Sequence, residues 1–348
     1  MAITNISRIG RAAVAFLLAL CPALAQDPQW IGGPVMGFVL DKAEGVRPIL
    51  GIPGAASLGQ PVLPATGFAI VVLGPQRDYA LALTKGEGQL ALLRNLSASP
   101  AAALLDVPPG ASRIVLSPAG DAAALYYSDA RRIEVLTGLP DSPSVAWRLD
   151  LPDLGAGLAA LVVSDGGSAI LAATTGEPSS ILLFAQDVEY RPLRLVAGSP
   201  SLAFFANGLD AVIGDGASNM VFVVRDVTGA AEITQIGSRA DGVSHPVAVA
   251  AAAGNRRVLV ANSEPGGVVS LGLAGEEPLA IPCSCTPTSL ERLPGGAAFR
   301  LSDAGEGPVW LLDGESSPPR TVFVPRQPRL VRTDILRTPA PVSRGGIR

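Results

Sequence analysis

The chain has 348 residues, of which 48% are hydrophobic and 16% charged, and it carries a formal net charge of −4. This composition excludes a disordered chain of low hydrophobicity, and the 39 Gly and 31 Pro indicate many turns. The mild acidity is unlike the basic footprint that nucleic-acid binding requires, so we expect no nucleic-acid partner.

Residues 1–25 have the features of a secretory signal peptide. Arg8 and Arg11 form a positive n-region, a short apolar h-region follows, and Ala23-Leu24-Ala25 is an A-x-A cleavage site. The apolar run is too short for an ordinary membrane span. We therefore predict cleavage between Ala25 and Gln26 and export to the periplasm or the extracellular space. The removal of two Arg and no acids changes the net charge from −4 to about −6.

The mature chain contains a repeat of about 44 residues. Each copy has a short β-prone strand, a tight turn rich in Gly, Pro, Asn or Asp, and a second strand. A loop with Gly and an acid leads to a third strand, and a fourth follows after a link that contains Pro or Gly. Four strands in about 40–45 residues is the spacing of a β-propeller blade. Six copies are visible, beginning at Ala69, Ser112, Ala159, Ser201, Pro246 and Thr288.

The two ends of the chain are expected to complete the ring. At about 44 residues per blade, the mature chain has room for roughly seven blades, with six or eight as alternatives. With the strands of a blade labelled A to D from the centre outward, Val35–Asp41 and Arg47–Ile52 look like strands C and D of a blade that lacks A and B. Arg329–Leu336 is the candidate for a missing strand. The sequence thus predicts an all-β propeller of seven blades of four antiparallel strands, closed by pairing of the N- and C-terminal segments.

The repeats resemble the YVTN-type β-propeller repeats of bacterial exported proteins and, more distantly, WD-type propellers. The segment that begins at Arg257 looks like a YVTN blade, with Val258-Leu-Val-Ala-Asn at the signature position. Ser117-Pro-Ala-Gly-Asp resembles the S-P-D-G-x turn of the same superfamily. The resemblance implies the propeller fold, but such propellers include both enzymes and binding scaffolds, so it implies no single function.

The repeat predicts which loops share a face. In a propeller the B–C loops and D–A links open on one face, and the A–B and C–D loops open on the other. Every visible B–C loop contains an acid, so a ring of carboxylates would focus negative potential at the channel mouth and attract a cation or a basic partner. The alternative is that these acids are ordinary solvated hairpin residues. The candidate rim residues are Glu87, Asp129, Glu177, Asp215, Glu264, Asp303 and Glu306.

The only histidine and both cysteines of the mature chain fall on the same predicted face. His245 lies in one D–A link, and Cys283 and Cys285 lie in the next. Thiolate and imidazole are good ligands for zinc or copper(I), although C-x-C spacing is unusual and a fourth ligand is missing. A Cys283–Cys285 disulfide, which an oxidising compartment favours, and free or intermolecular thiols are the alternatives. By itself, His245 is typical of a hydrogen-bonded structural residue.

We expect one propeller domain over residues 26–338 and a disordered basic tail over residues 339–348. From Arg326 onward the chain carries six Arg and one Asp, which suits either contact with an acidic surface or a solvated end. The tail forms the last part of a chain that we expect to be monomeric and without a membrane span.

The sequence favours a binding function over catalysis. It has no nucleophile elbow, no P-loop and no dinucleotide fingerprint, and the presence of one histidine argues against a Ser–His–Asp triad, so no catalytic residue is assigned. We expect an exported, non-catalytic scaffold that binds a protein, peptide or glycan, without a cofactor unless a divalent cation binds the rim. The alternative is a metal-assisted hydrolase or lyase, resembling lactonases, with its site at the channel mouth.

Overall fold

A computed structural model describes residues 33–75, 78–186, 188–294, 298–304 and 307–326. These residues form seven four-stranded antiparallel sheets in a ring, so the chain is a seven-bladed β-propeller, as predicted. The predicted signal peptide, the closing strand Arg329–Leu336 and the basic tail lie outside the described residues. No helix in the described part of the chain is long and apolar enough to cross a membrane.

The sheets follow one another along the chain, and each is one blade. Blade 1 contains β1 Val35–Asp41, β2 Gly45–Leu50, β3 Ser57–Leu58 and β4 Leu63–Pro64, and blade 2 contains β5 Phe68–Leu73, β6 Tyr79–Thr84, β7 Leu90–Arg94 and β8 Ala101–Leu104. Blade 3 contains β9 Arg113–Leu116, β10 Ala122–Tyr127, β11 Arg132–Thr137 and β12 Ser144–Asp150. Blade 4 contains β13 Leu158–Val163, β14 Ala169–Thr174, β15 Ser179–Ala185 and β16 Val188–Val196. Blade 5 contains β17 Pro200–Phe204, β18 Ala211–Asp215, β19 Met220–Arg225 and β20 Glu232–Gly237. Blade 6 contains β21 Pro246–Ala251, β22 Arg257–Asn262, β23 Gly267–Gly272 and β24 Leu279–Pro282. Blade 7 contains β25 Glu291–Arg292, β26 Ala298–Arg300, β27 Val309–Asp313 and β28 Arg320–Val324. Three single-turn 3₁₀ helices lie at Asp165–Gly167, Arg239–Asp241 and Ala253–Asn255.

The first blade corrects one sequence prediction. Asp41, at the end of β1, forms a parallel bridge with Ala304 in the B–C loop of the last blade, and its carboxylate lies 3.9 Å from Arg326, which follows β28. Hence β1 ends on the face where strand B of the other blades ends. Phe38 of β1 also lines the central channel. The prediction that β1 and β2 are strands C and D is wrong by one position: they take the positions of B and C, and β3 and β4 pair with opposite halves of β2.

The core lies between neighbouring blades and is made mainly of aliphatic side chains. Strands B and C are buried on both faces because each blade packs against the next one, so they are nearly uninterrupted apolar runs. One cluster joins Leu171 and Ile181 of blade 4 to Leu202, Ile213 and Phe222 of blade 5. Each fully buried Leu or Ile stabilises the fold by about 1.5–3 kcal/mol relative to an exposed one. Small aliphatic residues can therefore fill this core although aromatic residues are only 5% of the chain.

The A–B loops are hydrogen-bonded from blade to blade. The Tyr79 hydroxyl donates to the Gly120 carbonyl at 2.8 Å, which joins blades 2 and 3. The Asp165 carboxylate accepts the backbone N–H of Ala119 and that of Asn207, each at 2.7 Å, and so joins blade 4 to both neighbours. This face, which carries the A–B and C–D loops, is called the A–B face below. The opposite face, with the B–C loops and D–A links, is called the B–C face.

Candidate binding face and central channel

The B–C loops of blades 2, 4, 5 and 6 are each fixed at the base, by a backbone hydrogen bond, to the D–A link that leads into the same blade. In blade 2 the Lys85 N–H donates to the Gly67 carbonyl at 2.8 Å, and in blade 4 the Thr175 N–H donates to Gly157 at the same distance. In blade 6 the Ser263 N–H donates to the His245 carbonyl at 3.2 Å. These bonds continue the A–B ladder by one pair beyond the strands, and they order the loop bases without using acidic side chains.

Besides Asp303 of blade 7, four of the predicted rim acids are exposed on these loops. They come from blades 2, 3, 4 and 6, and each lies within three residues of the end of a strand B. Because the loop bases are hydrogen-bonded to the links, a partner that contacts these acids would not have to order the backbone first. The four exposed rim acids are Glu87, Asp129, Glu177 and Glu264.

Asp215 is part of the loop structure and not of an exposed rim. It is buried at the end of β18, and its carboxylate accepts the backbone N–H groups of Ala197 at 2.7 Å, Ser218 at 3.2 Å and Gly198 at 3.3 Å. Burial raises the pKa of Asp215, but these hydrogen bonds lower it by more, so its pKa lies below the ordinary value. The geometry thus assigns Asp215 to the ordering of the D–A link of blade 5.

Of the two predicted rim acids of blade 7, Asp303 is also exposed, but it differs from these four in its ion pair and its position. Asp303 is ion-paired with Arg300 and lines the central channel. Glu306 lies outside the described residues. The blade 7 loop therefore contributes a carboxylate to the channel mouth.

The predicted metal candidates are placed as follows. Cys283 and Cys285 form a disulfide with their Cα atoms 5.0 Å apart, which is one of the alternatives that the sequence left open. In this state neither sulfur is a thiolate ligand. Both cysteines pack against the core between blades 6 and 7. Gly266 of the neighbouring B–C loop is required there, because a Cβ atom would lie 1.7 Å from the Cys285 carbonyl oxygen.

His245 has an exposed side chain, and its backbone makes the contacts that order this link. Its N–H donates to Asn219 Oδ1 at 2.6 Å, and its carbonyl accepts from both the N–H and the hydroxyl of Ser263 at 3.2 Å. Within the described ranges, no group of three or more His, Cys, Asp or Glu side chains has a geometry that could hold a metal ion.

The central channel is a cavity of about 500 Å³ with mostly aliphatic walls. Its wall comes mainly from the innermost described strand of each blade, which in blade 1 is β1, and it reaches from the Pro75 and Pro118 turns on the A–B face to Asp303 on the B–C face. Charged residues of its wall come from blade 7 alone among the described residues. They are Glu291, Arg292, Arg300 and Asp303.

Three of these charges form one cluster at the B–C end of the channel. The Arg300 guanidinium donates one N–H to Glu291 Oε2 and another to Asp303 Oδ1. The Arg300 side chain is 4% exposed, whereas the two carboxylic side chains are each 52% exposed. Burial alone would lower the pKa of Arg300, but the two carboxylates raise it above the ordinary value. Arg300 therefore stays charged and holds both acids at the channel mouth.

Arg292 is the fourth charged residue of the channel wall. It donates to the Ala251 carbonyl of blade 6, and its guanidinium carbon lies 5.1 Å from the centre of the Phe299 ring. Burial lowers the pKa of Arg292, and the negative charge of Asp165 on the A–B face opposes this shift. Arg292 thus joins blade 7 to blade 6 within the channel wall.

Sequence reasoning missed Glu291, Arg292 and Arg300. The signal was present, because Glu291 and Arg292 stand in strand A of blade 7 where blade 4, for example, has the aliphatic run Leu158–Val163. It also missed Glu44 in the B–C loop of blade 1, which is ion-paired with Arg47 at 2.9 Å. Alignment of Asp41-Lys-Ala-Glu-Gly with Thr84-Lys-Gly-Glu-Gly would have found it.

Comparisons with known proteins support the fold. Virginiamycin B lyase from Staphylococcus aureus, solved as a catalytically inactive form with quinupristin, is 14% identical, with 76% of this chain and 86% of that chain covered and a TM-score of 0.53. Kluyveromyces lactis Hsv2 is 11% identical, with 72% and 75% covered and a TM-score of 0.52.

At these identities the likeness shows the fold alone. No protein-family model matches the chain, and no curated protein matches it. The resemblance to YVTN-type and WD-type repeats therefore stays a prediction, while the propeller architecture is established by the seven sheets.

Proposed function

We propose that this chain is an exported, non-catalytic propeller whose B–C face binds basic groups of a protein or peptide partner. The observation that carries the proposal is the placement of the exposed carboxylates Glu87, Asp129, Glu177 and Glu264 on hydrogen-bonded loops of one face. Export rests on the signal-like residues 1–25. A set of like charges on one face raises the local concentration of a cationic partner and increases its association rate.

The proposal is tested with two variants of equal charge. The B–C variant carries Glu87→Gln, Asp129→Asn, Glu177→Gln and Glu264→Gln. The A–B variant carries Glu232→Gln, Asp141→Asn, Glu277→Gln and Glu315→Gln, and all four of these acids are exposed near the A–B face. Both variants lose one Asp and three Glu, so their net charges are identical and only the position of the change differs.

The measurement is the affinity of each protein for a short oligolysine peptide at several salt concentrations. We expect the B–C variant to bind at least about tenfold more weakly than the wild type and the A–B variant to stay within about twofold, because contacts depend on local charge. Equal losses in both variants would mean that net charge alone governs binding, and the proposal would be wrong.

The second candidate is a metal-assisted lyase or hydrolase, which the fold shared with virginiamycin B lyase keeps open. It requires a divalent ion held by acids of several blades. Elemental analysis of the purified protein tests it: a stoichiometric metal that is lost in the Glu87→Gln, Glu177→Gln and Glu264→Gln variant would favour catalysis over a binding scaffold.

A further inference from the structure

The channel has the size and wall of a binding site. Ligand pockets in proteins commonly have volumes of about 300–1,000 Å³, mostly apolar walls and a few polar groups at fixed positions. The channel cavity of about 500 Å³ has such a wall, to which Val162, Ala203 and Ala250 contribute. This volume accommodates one or two apolar side chains, and the charged groups of the wall, among the described residues, are confined to the sector of blade 7.

The charge at the B–C mouth is negative. Arg300 is enclosed between Glu291 and Asp303, so these three groups carry a net charge of about −1. Each carboxylate uses one oxygen for Arg300, and each side chain is half exposed. Both acids can therefore accept hydrogen bonds from a ligand on the solvent side while Arg300 fixes their positions.

We infer that the channel mouth on the B–C face receives a basic peptide, in which a Lys or Arg pairs with Glu291 and Asp303 and an adjacent apolar side chain enters the channel. The inference rests on the proposed function, because the exposed rim acids would attract the same peptide. It adds a second contact, with a different physical basis, at the centre of the ring.

The charges favour this occupant over an anionic or neutral one. A carboxylate ligand would meet Glu291, Asp303 and the four exposed rim acids as it approached, and like charges repel. A neutral apolar molecule would leave the net negative charge of the Glu291–Arg300–Asp303 cluster without compensation. A peptide with both a base and an apolar side chain complements the mouth and the wall together.

The inference is tested with three synthetic peptides on the full chain. Lys-Leu-Phe-Lys carries both features, Lys-Ser-Ser-Lys carries only the basic side chains, and Glu-Leu-Phe-Glu carries the apolar pair with acidic side chains in place of the basic ones. We expect Lys-Leu-Phe-Lys to bind roughly tenfold or more tightly than either control, because burial of apolar side chains adds to the charge term. Titration calorimetry measures all three affinities.

Variants of the channel separate its contribution from that of the rim. Glu291→Gln or Asp303→Asn should weaken Lys-Leu-Phe-Lys by roughly fivefold, and each leaves Arg300 one carboxylate. Ala250→Leu reduces the cavity and should remove the advantage of Leu-Phe over Ser-Ser, while Lys-Ser-Ser-Lys binds as before. Loss of binding of both lysine peptides in the B–C variant supports the proposed function independently of these results.

Three results would overturn the inference. The first is that the two lysine peptides bind equally well, and the second is that Glu-Leu-Phe-Glu binds as tightly as Lys-Leu-Phe-Lys. The third is that Lys-Leu-Phe-Lys binds only after Arg329, Arg332 and Arg337 of the full chain have been replaced by Gln. The last result would make the chain's own basic segment the occupant. The first result leaves the proposed function intact, provided that the B–C variant still weakens both peptides.

Discussion

The two faces of the ring use the same residue types in different ways. On the A–B face, the Asp165 carboxylate accepts backbone N–H groups from blades 3 and 5, and Asp121 accepts the Gly166 N–H at 3.2 Å. On the B–C face the loop bases are ordered by backbone bonds, and Glu87 and Glu177 are left exposed. The comparison teaches that an acid beside Gly is structural where a neighbouring blade supplies N–H groups, and available for contact where it does not.

The largest effect should come from Asp165. Asp165→Ala leaves the N–H groups of Ala119 and Asn207 without their acceptor, so we expect the free energy of unfolding to fall by about 2–4 kcal/mol. Urea denaturation measures the change, and Asp129→Ala on the B–C face is the matched control, with an expected change under about 0.5 kcal/mol. Similar losses in both variants would remove the distinction between the faces.

Asp215 is a structural acid on the B–C face, as is the buried Asp41, and it should behave like an acid of the A–B face. Its folded-state pKa is lowered, so its contribution to stability is present above the unfolded-state value of about 3.8 and is lost as the pH falls below it. We expect Asp215→Asn to cost about 1–3 kcal/mol at pH 7.

The pH dependence provides the control for this variant. The unfolding free energies of the wild type and Asp215→Asn should converge as the pH falls below the ordinary Asp value, since the wild-type carboxyl is then protonated. A difference that stays constant over the acidic range would assign the loss to packing and not to the charge of Asp215.

The Cys283–Cys285 disulfide should give a smaller effect. A bridge between residues two apart closes a very short loop, so the chain-entropy argument assigns it about 1–2 kcal/mol. We expect the Cys283→Ser, Cys285→Ser variant to lose this amount in urea denaturation, with Ser284→Ala unchanged. Thiol labelling of the native protein should modify neither Cys283 nor Cys285, and labelling of both would contradict the bridge.

The smallest stability effect should come from the exposed rim acids. Because Glu87, Asp129, Glu177 and Glu264 are exposed, the free energy of unfolding of the B–C variant, which carries all four substitutions, should lie within about 0.5 kcal/mol of the wild-type value. A marked loss of stability, measured by thermal unfolding at low salt, would show that these acids hold the loops together and are not free for a partner.

The sequence predicted the repeated parts of the molecule well. Strands B and C are apolar runs bounded by turn residues, as in Tyr79–Thr84, so their spacing gave the blades and the two faces. The prediction for the first blade was wrong by one strand position, because strands B and C of a blade are both short apolar runs and the sequence of β1 and β2 does not distinguish between the two positions. The hydrogen bonds of Asp215 and the pairing of Arg300 with Glu291 depend on neighbouring links and strands, so no pattern within one repeat could predict them.

The most direct test of the two-face account is the hydrogen-exchange footprint of a bound oligolysine peptide on the full chain. The account predicts slower exchange in the B–C segments 85–89, 128–131, 175–178 and 263–266, with no change in the A–B segments 118–121, 164–168 and 205–210. Protection centred on the A–B segments, or spread equally over both faces, would contradict it.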